Sequence, residues 1–180
     1  MVTKIFGDKK VTITPLSDKD LKCAKEFLDF INSLIMEDAK ILMNQKQTLK
    51  DEIDFVKNAA KKTKERKEIF LIARDGNKVV ANTSFELQPY KRNHIARFGI
   101  AIRQEYRGNG LGKHIMTEVM NLAKKELKPT PKIFQLEVYE NNIPAIGLYK
   151  KMGFKIIGKL PKQIQHKGKL IAEFIMQKPV

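Results

Sequence analysis

A glycine-rich segment, residues 104–113, most constrains what this chain can fold into. It places Gly108, Gly110 and Gly112 at alternate positions. Ile95–Ile102, just before it, alternates as a strand does, and the residues after it repeat at helical spacing. Glycines allow positive φ and close approach of a ligand, and a helix N-terminus offers free N–H groups to anions. The segment therefore predicts a strand, a tight turn and a helix that together bind a phosphate-bearing ligand.

Composition narrows the class of protein. With 180 residues, 42% hydrophobic and 31% charged, the chain is expected to form one globular domain over residues 1–180. Cys23 is the only cysteine, which excludes an intrachain disulfide. No apolar run approaches the roughly 20 residues of a membrane span, and the first residues lack the apolar stretch of a secretory signal. We therefore expect a cytoplasmic protein without a membrane partner.

The net charge of +15 has two interpretations, a nucleic-acid surface or a surface that attracts an anionic cofactor. The lysines are spread along the whole chain, and no aromatic residues are interleaved with them for base stacking. We therefore expect no nucleic-acid partner. No metal site is expected either, since His94 has no cysteine, histidine or carboxylate near it at the spacing of metal ligands.

The rest of the chain alternates between strand and helix patterns without an internal repeat or a linker. A helix is expected from about Asp18, a second capped by Thr48, a third after the glycine turn and a fourth over residues 142–151. Asp75-Gly76 is a hairpin signal. Seven strands are predicted, at residues 9–14, 68–74, 78–87, 94–103, 133–139, 154–158 and 169–176.

Three familiar phosphate loops are excluded by spacing. A Walker A loop fails because Arg107 stands where its first glycine belongs and His114 where it needs serine or threonine. A dinucleotide fingerprint fails because its third glycine is replaced by Leu111 or Ile115, depending on the starting glycine. The lysine and Asp-Phe-Gly elements that accompany a kinase glycine loop are absent.

A second motif, residues 142–154, points to another protein family that contains such a loop. Here the chain resembles the GCN5-related N-acetyltransferase superfamily, whose members transfer an acetyl group from acetyl-CoA to an amine. The first signature of that family, Arg/Gln-x-x-Gly-x-Gly/Ala, matches residues 107–112. The second, Asn-x-x-Ala-x-x-Leu-Tyr-x-x-x-Gly-Phe, matches residues 142–154 at every fixed position. The resemblance extends over residues 9–176, nearly the whole chain.

The resemblance implies an α/β (α+β) fold and a site for acetyl-CoA as cosubstrate. The sheet would be mixed and mostly antiparallel, with about seven strands and about four helices. The strands near Ile100 and Leu136 would splay apart to admit the cofactor. The backbone amides of the loop would hold its pyrophosphate, and the backbone of the strand before the loop would pair with its pantetheine arm. The cofactor-binding residues implied are Ile100, Ala101, Ile102, Arg107, Gly108, Asn109, Gly110, Leu111, Gly112, Lys113, Asn142, Ala145, Tyr149 and Lys151.

The same resemblance implies the catalytic groups. Tyr149 would give a proton to the leaving thiolate, and a backbone N–H near Ile102 would donate to the thioester oxygen. Several families of this fold place a glutamate that acts as the general base on the strand before the loop, but residues 96–102 have no carboxylate. Glu137, twelve residues before Tyr149, is the candidate base, at a spacing that resembles ribosomal-protein N-terminal acetyltransferases. Glu86, on the third predicted strand, is the second candidate for the general base.

The expected reaction is direct attack of a primary amine on acetyl-CoA in a ternary complex. A free amino acid or a peptide or protein α-amine is the expected acceptor, because its pKa of about 7.7–8.0 leaves far more neutral amine at pH 7 than the value of about 10.4 for lysine. A polyamine would require an acidic groove, which a net charge of +15 does not suggest. The alternatives are a polyamine or protein lysine as acceptor, or a non-catalytic CoA-binding sensor. A monomer or a homodimer is compatible with the fold.

Overall fold

Eight strands form one open sheet in the computed structural model, which describes residues 1–180. The strands are β1 (Val2–Phe6), β2 (Lys9–Pro15), β3 (Glu68–Asp75), β4 (Lys78–Leu87), β5 (Ile95–Ile102), β6 (Ile133–Tyr139), β7 (Lys155–His166) and β8 (Lys169–Pro179). Their order is β1-β2-β3-β4-β5-β6-β8-β7, and only β5 and β6 run parallel. The mixed, mostly antiparallel sheet is the one predicted.

Four α-helices cover the sheet: α1 (Ala24–Met36), α2 (Leu49–Lys64), α3 (Leu111–Glu126) and α4 (Ile143–Lys151). Thr48 caps α2 as predicted, because its hydroxyl accepts from the Asp51 amide at 3.3 Å while the Asp51 carboxylate accepts from the Thr48 amide at 2.8 Å. The helix expected from Asp18 begins as a 3₁₀ segment, Asp18–Cys23, before α1. No helix is long and apolar enough to span a membrane.

The strand prediction missed β1. This strand lies at one edge of the sheet, and only Phe6 in it is buried, so its sequence shows no sustained alternation of apolar and polar residues. The sheet therefore has eight strands where about seven were expected.

The seventh strand is longer than predicted. It continues through Pro161 to the hairpin turn, although the sequence suggested an end at Gly158. Proline is tolerated because β7 is the other edge of the sheet, and its pairing with β8 is irregular between Leu160 and Ile164.

Alternate residues of the central strands enter two cores on opposite faces of the sheet. Ile69 and Leu71 of β3 pack with α3 and α4, whereas Phe70 and Ile72 pack with α1 and α2. The helices associated with the two sequence motifs, α3 and α4, thus share one face. Side chains on the other face lie under α1, α2 and the connection between them, residues 37–48.

Candidate active site

A cleft opens where β5 and β6 separate. Their parallel pairing covers only Ile95–Arg97 against Ile133–Gln135, and beyond it residues 98–102 pair with β4 alone. The free edge of β5 thus faces a cleft of about 390 Å³. Its lining residues are Lys40, Ile41, Leu42, Ser84, Glu86, Arg97, Phe98, Gly99, Ile100, Leu136, Glu137, Val138, Tyr139, Asn142, Tyr149 and Glu173.

The glycine turn leaves several of its backbone N–H groups without a protein acceptor. Gly108 and Gly110 have φ of +78° and +91°, a region that other residues adopt only with strain. The N–H groups of residues 108, 109, 110, 112 and 113 donate to no protein acceptor, while that of Leu111 donates to Asn109 Oδ1 at 3.2 Å. Five free donors at the N-terminus of α3 fit the pyrophosphate of a cofactor.

Gly112 and Arg107 hold this turn against the end of β5. A Cβ added at Gly112 would lie 3.2 Å from Ile102 Cδ1 and 3.5 Å from Leu148 Cδ2, so its missing side chain allows the close packing of α3. Arg107 Nε donates to the carbonyl oxygen of Ile102 at 2.8 Å, and its guanidinium pairs with Glu37. The Arg107–Glu37 pair links the turn to the start of the α1–α2 connection.

Tyr149 enters the cleft from α4. Its ring lies edge-on to Phe98, with centroids 5.9 Å apart, and tilted against Phe154 at 6.4 Å. The residue is 7% exposed, and burial raises the pKa of its hydroxyl to about 12. Its hydroxyl makes no hydrogen bond within the protein. The tyrosine therefore stays protonated at neutral pH, the form required of a proton donor.

The two carboxylates expected from the sequence both line the cleft, and both are ion-paired. Glu137 Oε2 accepts from Arg97 Nε at 2.6 Å, and its Oε1 accepts from Gln135 Nε2 at 3.0 Å. Glu86 pairs with Lys62 of α2 at 2.7 Å. Sequence analysis did not indicate Arg97 as a partner of Glu137, because their proximity depends on the parallel register of β5 and β6.

A third carboxylate, that of Glu173, also lines the cleft and was not anticipated. It lies on β8, directly across from Tyr139 of β6, and the residue is 8% exposed. Burial raises the pKa of its carboxyl, as does the charge of Glu137, whereas Arg97 opposes them. Glu173 is the one charged residue in the otherwise apolar run 170–176. A single charge in such a run is the sequence pattern that could have identified it.

The α1–α2 connection covers the cleft from one side. The Tyr139 hydroxyl donates to the Ile41 carbonyl oxygen at 2.8 Å, and Lys40 Nζ donates to the Asn141 carbonyl oxygen at 2.8 Å. At the β7–β8 turn, His166 Nε2 lies 3.4 Å from the Asp38 carboxylate. These contacts fix Ile41 and its neighbours over the cleft.

The comparison with known proteins identifies this arrangement. A sequence model of the acetyltransferase (GNAT) family matches residues 33–154. The chain belongs to this family. That result confirms the family predicted from the two motifs, and the sheet with its splayed central strands confirms the expected fold.

Relatives of this GNAT domain differ in the acceptors for which they are named. It is 30% identical to the "L-amino acid N-acetyltransferase AaaT" of Escherichia coli (strain K12) over 103 residues, 57% of this chain and 62% of that protein. It is 42% identical to the "Spermine/spermidine N(1)-acetyltransferase" of Bacillus subtilis (strain 168) over 60 residues, 33% of this chain and 38% of that protein. The chain thus spans less than two thirds of these curated relatives.

A solved structure resembles the GNAT domain over nearly its full length. An acetyltransferase of the GNAT family from Streptococcus pneumoniae has 25% sequence identity and a TM-score of 0.81, over 94% of this chain and 99% of that one. The comparison thus extends the shared fold beyond residues 33–154.

The remaining residues that were predicted to bind the cofactor are divided between the cleft and its surroundings. Ile100 and Asn142 line the cleft, and Ala101 and Ile102 continue the free edge of β5. Ala145 is half-buried against the core, and Lys151 is exposed on the last turn of α4. Neither of these last two lines the cleft. No cluster of three or more metal-ligating side chains is present.

Proposed function

We propose that this chain is an N-acetyltransferase that uses acetyl-CoA and acetylates the α-amine of a free amino acid or a peptide. The observation that carries the proposal is the cleft itself. The free edge of β5 and the protonated Tyr149 meet in one opening between β5 and β6, and the glycine turn with its unpaired amides follows β5 directly in the chain.

The donor side of the site would be formed mainly by backbone. The free amides at residues 108–113 would hold the pyrophosphate, and the edge at residues 100–102 would pair with the amides of the pantetheine arm. Asn142, at the N-terminus of α4, would donate to the same arm. When bound, acetyl-CoA supplies an activated acetyl thioester at the fork of the two strands.

The acyl transfer requires a neutral amine, an oxyanion donor and a proton for the thiolate. The amine nitrogen attacks the thioester carbonyl carbon, and a backbone N–H near Ile102 stabilises the oxyanion. The C–S bond then breaks, and the Tyr149 hydroxyl protonates the sulfur. The tyrosinate recovers a proton from the newly formed amide nitrogen, so that the enzyme returns to its starting state.

The charges around the cleft favour a singly charged amine over a polyamine. Three carboxylates line it, but Lys40 and Arg97 line it too, and Lys62 neutralises Glu86. Its local charge is therefore nearly balanced, although one relative is named for spermine and spermidine. The relative named for L-amino acids supports the α-amine as acceptor.

The test is release of free thiol from acetyl-CoA with three panels of acceptors: L-amino acids, peptides with free N-termini and polyamines. We expect turnover with one of the α-amine panels and little with polyamines. Acceleration by polyamines alone would contradict the proposed acceptor. Tight binding of acetyl-CoA without acceleration by any amine would instead indicate a cofactor sensor.

A further inference from the structure

Glu173 differs from the other two carboxylates of the cleft in having no partner. Its side chain makes neither an ion pair nor a hydrogen bond, whereas Glu137 is held by Arg97 and Glu86 by Lys62. Burying a carboxylate without a partner is unfavourable, because the charge loses its hydration. The oxygens of an unpartnered carboxylate on the wall of a substrate cleft can accept hydrogen bonds from a bound ligand.

The location of Glu173 places it on the side of the cleft where the acceptor would bind. It shares the sheet face of Glu137 and Tyr139, opposite the face that carries α3 and α4. Tyr139 in turn bonds to Ile41 of the α1–α2 connection. The wall around Glu173 is thus formed by β6, β8 and residues 37–48, away from the glycine turn that would hold the cofactor phosphates.

We propose that Glu173 binds the ammonium group of the acceptor and removes its proton before acyl transfer. This inference rests on the proposed acetyltransferase function. A proton passes from the ammonium nitrogen to the Glu173 carboxylate, which leaves a neutral amine whose lone pair forms the new C–N bond. Glu173 afterwards releases that proton to solvent, and this accounts for the one proton that acetylation of an ammonium ion liberates.

The groups that face Glu173 support this role. Tyr139 of β6 lies directly across from it, Glu137 on the same strand is negatively charged, Arg97 on β5 is positively charged, and Lys40 and Glu86 also line the cleft. Burial and Glu137 raise the pKa of the Glu173 carboxyl, and a higher pKa makes a carboxylate a better proton acceptor near neutral pH. Both oxygens of Glu137 already accept hydrogen bonds, so protonation there would break its pair with Arg97.

The kinetic test compares Glu173→Gln with Glu137→Gln and with the control Glu118→Gln on α3. The acceptors are L-alanine and tri-alanine, assayed from pH 6 to 10. For Glu173→Gln we expect kcat/KM for the amine to fall about 10²-fold at pH 7. The loss should shrink above pH 8, because an α-amine with a pKa of about 7.7–8.0 then deprotonates in water. A merely structural role would give a loss independent of pH.

A second measurement keeps this inference separate from the proposed function. In protein labelled with ¹³C at the glutamate carboxyl carbons, Glu173→Gln identifies the Glu173 resonance by its disappearance. We expect this resonance to shift when L-alanine or tri-alanine is added, even if neither amine is acetylated. The inference is overturned if the resonance does not respond to amines, or if Glu173→Gln keeps kcat/KM within about threefold while Glu137→Gln shows the loss that high pH reverses.

Discussion

Replacing Tyr149 by phenylalanine tests the chemistry most directly, because it removes one atom from a packed ring. The ring contacts with Phe98 and Phe154 remain, and the lost hydroxyl has no partner in the protein. We therefore expect the free energy of unfolding to change by less than about 0.5 kcal/mol. Loss of a general acid lowers a rate by about 10²–10⁴-fold, which corresponds to about 2.7–5.4 kcal/mol in the activation free energy.

The assay separates catalysis from binding. Steady-state kinetics should show the fall in kcat, while calorimetric titration shows an unchanged Kd for acetyl-CoA. Tyr106→Phe is the matched control, since burial also raises the pKa of Tyr106 to about 12 but its hydroxyl donates to Asp75 at 2.8 Å. That variant should lose about 1 kcal/mol of stability and keep its kcat. If Tyr149→Phe retains kcat within about threefold, another group protonates the thiolate.

Three further predictions concern the loop, the fold and the acceptor side. Gly110→Ala should cost about 1–2 kcal/mol of stability, because φ is +91°, and should weaken acetyl-CoA binding by titration, whereas Gly168→Ala, also at positive φ, should cost stability alone. Burial raises the pKa of Glu52 to about 7, so wild-type stability should fall as pH rises from about 4.5 to 7, and Glu52→Gln should raise Tm at pH 8 by about 3–6 °C but less at pH 5. Asp38→Ala removes the carboxylate that lies 3.4 Å from His166 and 3.6 Å from Lys167 at the β7–β8 turn, and so loosens the α1–α2 connection over the cleft. It should raise KM for the amine several-fold in initial-rate assays and leave the Kd for acetyl-CoA unchanged.

The parts of the site that the sequence predicted are those built from contiguous residues. The strand, the glycine turn and α3 follow one another directly, and each leaves its own local pattern: alternation, positive-φ glycines and helical spacing. Asn142 to Tyr149 are likewise contained in one short helix and its N-terminus. Local sequence therefore indicated the proposed donor side of the site.

The proposed acceptor side was only partly predictable from the sequence, because it is assembled from distant strands. Arg97 and Glu137 are 40 positions apart, and the short distance between them depends on the parallel register of β5 and β6. Glu173 approaches Glu137 only because β6 pairs with β8 and not with β7, the next strand in the chain. The net charge of +15 also does not indicate that three carboxylates line one cleft, because it sums over the whole chain.

The fork between β5 and β6 shows how side chains define the place where backbone pairing stops. Arg97 and Gln135 form the last paired position of the two strands, and both of their side chains bind the Glu137 carboxylate just beyond it. Gln177 of β8 donates to Gln135 at 2.8 Å and extends this network to the next strand. Beyond that position the edge of β5 has no partner strand, although an unpaired buried edge is costly. The network therefore fixes the closed end of the fork, and the free edge beyond it is stable because the cleft leaves it accessible to solvent or to an extended ligand.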